Sequence, residues 1–146
     1  MSPSAATDLG VGGAVLHRLP RFDDERGALT VAEVAAVVGF AAMRLFVVSG
    51  VPAGVVRGGH AHRRCHQLLL CAHGSCRVVL DDGHRRADVV LDGPGLALHL
   101  PPLVWATQED FDPGAVLCVL ASEPYDAAEY IRDRDEFLAL VGDAAR

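Results

Sequence analysis

Three of the chain's seven histidines, His60, His62 and His66, fall within seven consecutive positions of the segment GVVRGGHAHRRCHQLLLCAHG, residues 54–74. An imidazole titrates near neutrality, so a histidine pair is suited to taking and returning a proton at pH 7. In an extended chain His60 and His62, two positions apart, project from the same face and can meet one ligand. Gly54, Gly58 and Gly59 beside them leave room for a close backbone approach. The bland alternative is a solvated His/Arg-rich edge. All thirteen basic residues are arginine and none is lysine, which excludes Schiff-base and lysine-base chemistry. The four cysteines, Cys65, Cys71, Cys76 and Cys118, read as small buried hydrophobes. A zinc cluster from Cys65, His66, Cys71, His73 and Cys76 lacks the paired C-x2-C spacing that would place two thiolates on one ion.

The elements that must hold these histidines are strands. Runs such as RLFVVS (44–49), QLLLCA (67–72), SCRVVL (75–80), ADVVL (87–91), LALHL (96–100) and AVLCVLAS (115–122) alternate with Gly, Pro and Asp turns, which predicts an all-β barrel or jelly roll. VAEVAAVVGF (31–40) is ambiguous between helix and strand. The tail, 126–146, is expected to be a helix capped by Asp126, carrying Tyr130, Phe137, Leu138 and Val141 at helical spacing and docking outside the barrel. Residues 1–14 are expected to be a flexible lead-in and 15–146 a single domain, a size consistent with one core in 146 residues and 15.4 kDa. The N-terminus has no signal-peptide pattern, so the cytoplasm is the expected location. A formal charge of −6 argues against bulk binding to nucleic acid, and no apolar run is long enough to span a membrane.

The histidine segment resembles the first cupin motif, G-x5-H-x-H-x3-4-E-x6-G, with Gly54, His60, His62 and Gly74 on it and Gln67 at the glutamate position. The second motif, G-x5-P-x-G-x2-H-x3-N, keeps Gly95 and Pro101 but has Leu103, Ala106 and Asp110 at its glycine, histidine and asparagine. With Gln67 and Ala106 at two of the four ligand positions, no metal is expected.

From Leu16 to Leu140 the chain is more specifically similar to the sugar nucleotide 3,4-ketoisomerases of deoxysugar biosynthesis. The similarity rests on DERG (24–27), RGGHAHRRCHQ (57–67), GSCRVVLDDG (74–83), LPPLVWATQEDF (100–111) and VLASEPYDAAEYIRDRDEFL (119–138). A tyrosine pair common in that family is Phe46 and Val47 here, so no phenol is expected from that strand. The resemblance implies an all-β cupin jelly roll with a short C-terminal helix. It also implies a homodimer with strand exchange, no cofactor, and a dTDP-4-keto-6-deoxyhexose as substrate. On that reading His62 is the principal base and His60 its partner, moving a carbonyl from C4 to C3 through an enediolate. Arg57, Arg44 and Arg26 are candidates for the diphosphate, and Gln67 and Gln108 for further substrate contacts. His66 is placed at the pocket edge, and His17, His73, His84 and His99 are expected to be structural or solvated. Ala106 is expected to leave the wall opposite the histidines without an acid, giving a gluco-type product. Two rival readings are a non-catalytic ligand-binding cupin and a 3,5-epimerase. The epimerase is disfavoured because its tyrosine acid would have to come from Tyr125 or Tyr130, near the tail helix.

Overall fold

The computed structural model describes residues 5–144. The strands are β1 (Ala5–Asp8), β2 (Val15–Arg18), β3 (Arg21–Asp24), β4 (Gly27–Thr30), β5 (Arg44–Ser49), β6 (Arg57–His62), β7 (Gln67–His73), β8 (Cys76–Asp81), β9 (Arg86–Leu91), β10 (Leu96–Leu100), β11 (Trp105–Glu109), β12 (Val116–Ala121) and β13 (Tyr130–Ile131); the helices are α1 (Val34–Val38) and α2 (Arg134–Ala144). A six-stranded sheet, β1-β2-β10-β7-β12-β5, faces a five-stranded sheet, β13-β6-β11-β8-β9, and β3-β4 stands apart as a two-stranded ribbon. This is the expected all-β jelly roll, and the apolar runs read from the sequence fall on strands to within one or two residues.

Alternation explains how two sheets enclose one core. β12 reads half-buried, buried, half-buried along its length, so Leu117 and Val119 turn inward. They join Leu69 and Cys71 of β7 and Phe46 and Val48 of β5 in a cluster with Val78, Leu80 and Leu91 of the other sheet. The same alternation carries Gln67 and Arg44 onto the inner face, in one row of the six-stranded sheet, either side of Ala121.

The lead-in differs from expectation. Ala5–Asp8 pairs with β2, and Val11 and Ala14 are buried in the main core, because the Val11 and Ala14 side chains close the barrel beside Val104. Residues 1–4 of that stretch lie outside the described residues.

The tail also differs. The Asp126 side chain accepts from the Ala128 N–H and caps only a 3-10 turn, Ala127–Glu129, after which Tyr130 and Ile131 pair with His62 and Ala61 of β6. The helix starts later, where the Asp133 carboxylate accepts from the N–H groups of Asp135 and Glu136. Phe137 and Val141 of α2 then bury against Ala61 and Ile131 on the outside of the barrel, whereas Leu138 is exposed. Residues 145–146 of the expected helix lie outside the described residues. The ambiguous stretch 31–40 is resolved as the short α1, ended by Gly39 in a left-handed conformation at φ 77°.

Candidate active site

β6 presents Ala61 outward beneath α2, so His60 and His62 point into the barrel, as their spacing requires. Their rings meet edge to face with centroids 5.1 Å apart. Gly58 is needed in the same strand. It has φ 81°, and a Cβ there would come within 2.8 Å of the Ala106 carbonyl oxygen and 3.0 Å of the Gln108 side chain. Gln108 therefore lies over β6, close to the histidine pair.

The decisive partner is Glu129, which is 2% exposed. Its Oε1 lies 2.7 Å from His62 Nδ1, and its Oε2 accepts from the backbone N–H groups of Arg64 at 2.7 Å and Cys65 at 3.2 Å. Burial alone would raise this carboxyl, but the three hydrogen bonds outweigh burial and hold it below the usual carboxylate range. An ionised Glu129 fixes His62 as the Nδ1–H tautomer. His62 Nε2 is left buried without a protein partner, its lone pair available to a ligand. Burial pushes the His62 pKa down and Glu129 pulls it back up. His60 has no such carboxylate: burial, and then the charges of His62 and Arg132, lower it to about 4. Both rings are therefore neutral at pH 7.

Tyr130 lies opposite His62 in the β13–β6 register, its ring 4.5 Å from that of His62 and 5.0 Å from that of His60. This overturns the expectation that the tyrosines are too far away on the tail. The chain leaves the helical path at Asp126, and the strand that follows carries the phenol to the histidines. Glu129 was not read as a site residue from the sequence. The only signal was its place beside an apolar-polar alternation, EYIR, inside a presumed helix.

The candidate cations separate. Arg44, half-buried, has its Nε enclosed without a partner, its guanidinium 5.5 Å from the Phe46 ring and 5.7 Å from the Tyr125 ring, and its charge is felt by His62. Arg132, not singled out from the sequence, lies 4.5 Å over the Tyr130 ring. Arg57 is exposed at the start of β6, opposite Gln108 on β11. Gln67 is 5% exposed on the facing sheet. Arg26 is not brought to the histidines: it sits at the tip of the β3–β4 ribbon, 84% exposed, and pairs with Asp24 at 2.6 Å.

Ala106 also differs from expectation. It lies directly opposite His60 on the neighbouring strand β11, on the same wall rather than the opposite one. As a metal ligand set the cupin positions fit poorly, because Ala106 has no donor atom and Gln67 offers only a neutral amide in place of a carboxylate. Among the described residues one group has ligand atoms within reach of a common ion, His62, Cys65 and Glu129, but both Glu129 oxygens already accept hydrogen bonds. The cysteines and histidines 65–76 do not form a cluster: Cys71 and Cys76 lie sulfur to sulfur at 3.6 Å in the core, and His66 turns to the outer face.

The chain and its fold have counterparts. A relative from Aneurinibacillus thermoaerophilus, a TDP-4-oxo-6-deoxy-alpha-D-glucose-3,4-oxoisomerase, is 40% identical over 114 residues, 78% of this chain and 82% of its own. A histidine-to-asparagine mutant of the 3,4-ketoisomerase QdtA from Thermoanaerobacterium thermosaccharolyticum, solved in complex with TDP-4-keto-6-deoxyglucose, superposes with a TM-score of 0.88. It shares 32% identity and covers 91% of this chain and 96% of its own. The WlaRB TDP-quinovose 3,4-ketoisomerase from Campylobacter jejuni gives a TM-score of 0.84 at 35% identity, covering 88% of this chain and 99% of its own. The model of the family FdtA: WxcM-like, C-terminal matches residues 13–142, and the chain belongs to that family.

Proposed function

We propose that this protein is an isomerase, a sugar nucleotide 3,4-ketoisomerase that converts TDP-4-keto-6-deoxyglucose into the 3-keto isomer. The observation that carries the reading is the buried His62–Glu129 pair, with His62 Nε2 unpartnered inside the barrel beside a neutral His60 and the Tyr130 ring. The C4 ketone acidifies the C3 proton. His62 Nε2 takes it, and Glu129 stabilises the imidazolium that results. The C3–C4 enediolate is stabilised by His60 and Tyr130; the hydroxyl proton of O3 passes to O4, and return of the proton held by His62 to C4 leaves the ketone at C3. No electrons are gained or lost, so the reaction needs no cofactor, and the poor ligand set at Gln67 and Ala106 favours a metal-independent course. Arg44, with Arg57 and Arg132 nearer solvent, supplies positive charge for the diphosphate. Gln67 and Gln108 are placed to contact the sugar. Arg26 could join them only from the β3–β4 ribbon.

His60, His62 and Tyr130 stand on one wall, while the facing row offers Gln67, Ala121 and Arg44, none of which donates a proton at pH 7. A 3,5-epimerase must deprotonate one face of the ring and reprotonate the other, so the one-sided site favours isomerisation even though a tyrosine is present. The same arrangement revises the expected C4 outcome. In a D-gluco chair the hydrogens on C3 and C4 lie on opposite ring faces, so transfer along one wall places the C4 hydroxyl axial, the galacto-type 3-ketone. The gluco-type product would need an acid from the facing sheet. A non-catalytic ligand-binding cupin would not need the base-and-carboxylate pair.

We take the enzyme to act in the cytoplasm as a homodimer. The exposed Leu45 and Val47 of the edge strand β5, with Met43 just before it, favour a second copy, and β1, bonded to β2 at the sheet edge, is a strand that two copies could exchange. No helix among the described residues is long and apolar enough to cross a membrane.

The test is incubation with TDP-4-keto-6-deoxyglucose in D2O, followed by NMR. Migration of the ketone to C3 is expected, unaffected by exhaustive chelation. Deuterium at C3 and C5 without migration would establish an epimerase, no exchange a binding protein, and restoration by metal after chelation a metalloenzyme. Borohydride reduction of fresh product reads the C4 configuration from its coupling constants.

A further inference from the structure

Aromatic side chains run outward from the histidines in a line. His62 touches Tyr130, and Tyr130 touches Tyr125 with centroids 5.7 Å apart and planes tilted by 51°. Tyr125 is 64% exposed. The Arg44 guanidinium lies 5.7 Å from its ring centroid. The order from the buried end is proton-transfer groups, then a cation, then a solvent-facing aromatic. A nucleoside diphosphate sugar has the same order, with reacting hexose, diphosphate and base.

The loop that carries Tyr125 is held at both ends. The Ser122 N–H donates to the His66 carbonyl on one side, and the Asp126 carboxylate caps the 3-10 turn on the other. Pro124 restricts the backbone between them. A ring presented in this way loses little entropy when a base stacks on it. Phe46, the other aromatic beside Arg44, packs against the barrel core, and the remaining exposed or large aromatics are placed elsewhere. Trp105 packs on Phe137 beneath Arg134 on the outer side of the five-stranded sheet, and Phe22 belongs to the β3–β4 ribbon.

We propose that Tyr125 is the stacking platform for the nucleotide base and, with Arg44 beside it, sets the affinity for the nucleoside end of the substrate. The inference rests on the nucleotide-sugar reading of the site. An aromatic platform of this kind contributes roughly five- to hundredfold in affinity.

Calorimetric titration of the full-length wild-type protein and of Tyr125→Ala, each with dTDP and with inorganic pyrophosphate as a base-free probe, separates the possibilities. The expected result is a loss of about fivefold or more for dTDP, with pyrophosphate affinity changed less than about twofold. Equal losses for both probes, or no loss for dTDP, would overturn the platform. A Tyr125→Trp variant provides a second readout: dTDP should quench the added indole fluorescence and pyrophosphate should not. Quenching by both or by neither overturns the proposal. If wild-type protein fails to bind dTDP at all, the nucleotide-sugar reading itself is wrong; if it binds and Tyr125→Ala binds equally well, only the platform is.

Discussion

The molecule carries two groups of histidines on opposite sides of its barrel wall, and they differ in a single kind of partner. Inside, His60 and His62 share a wall with Glu129 and Tyr130. Outside, His17 of β2, His99 of β10 and His66 before β7 run diagonally across the six-stranded sheet, with Phe40 over His66 and His99. There His66 Nδ1 lies 2.9 Å from His99 Nε2, and among the described residues no hydrogen bond to a carboxylate joins any of the three. Burial lowers His17, and burial with the charges of His66 and His17 lowers His99 to about 4. Burial depresses histidines in both places, so a lowered pKa does not mark the reactive group. The carboxylate does: it fixes the His62 tautomer and can stabilise a transient positive charge, which the outer stripe cannot.

The largest expected effect follows directly. His62→Asn should lower kcat by roughly 10²- to 10⁴-fold with dTDP affinity close to wild type, because an amide keeps hydrogen bonding but cannot accept the C3 proton. His99→Asn should leave kcat within about twofold. A His62→Asn enzyme of near-normal kcat would move the base role to His60, and a strong kcat loss in His99→Asn would erase the distinction between the two groups.

Glu129→Gln tests the partner itself. The amide removes the negative charge and leaves at most a weaker, neutral hydrogen bond to His62, so kcat should fall on the order of 10²-fold or more. The acid limb of the pH–rate profile should also move to lower pH, since the base then protonates less readily. A merely structural role for Glu129 would lower active protein without moving the limb. Rescue of the wild-type limb in Glu129→Asp would confirm the carboxylate as the positioning group.

How much of this was legible in the sequence depends on the range of the interaction. The strands were readable because their alternation is local, and the His60/His62 face followed from a two-residue repeat. Glu129 and Tyr130 were not, because Glu129 of the 3-10 turn meets His62 across 67 positions and Tyr130 of β13 pairs with the same histidine of β6, while their local pattern imitates a helix that begins at Arg134. The place of Ala106 was missed for the same reason, since a motif position does not say on which wall a strand lies. Leu103 shows a further limit: this non-glycine residue adopts φ 62°, and its N–H donates to the His62 carbonyl at 2.8 Å. Its packing beside Ile131 and Phe137 accompanies a conformation the motif would assign to glycine.

The smallest effect concerns the outer group and reads in stability rather than rate. An unfolded chain takes up a proton at each histidine near pH 6.5, whereas folded His99 resists it until about pH 4. Between those values the unfolded state binds more protons, so acid favours unfolding, and the stability present above pH 6.5 is lost as the pH falls toward 4. His60 contributes in the same direction, so the wild-type melting temperature should decline across this window. His99→Asn removes one of these groups together with its bond to His66. At pH 8 it should cost about 1 kcal/mol, the net value of a hydrogen bond. On acidification its melting temperature should fall less steeply than wild type, narrowing or reversing the gap by pH 4.5. Parallel curves for the two proteins would mean that His99 protonates as readily in the folded protein as in the unfolded one, and that the outer stripe is not dry enough to resist charge.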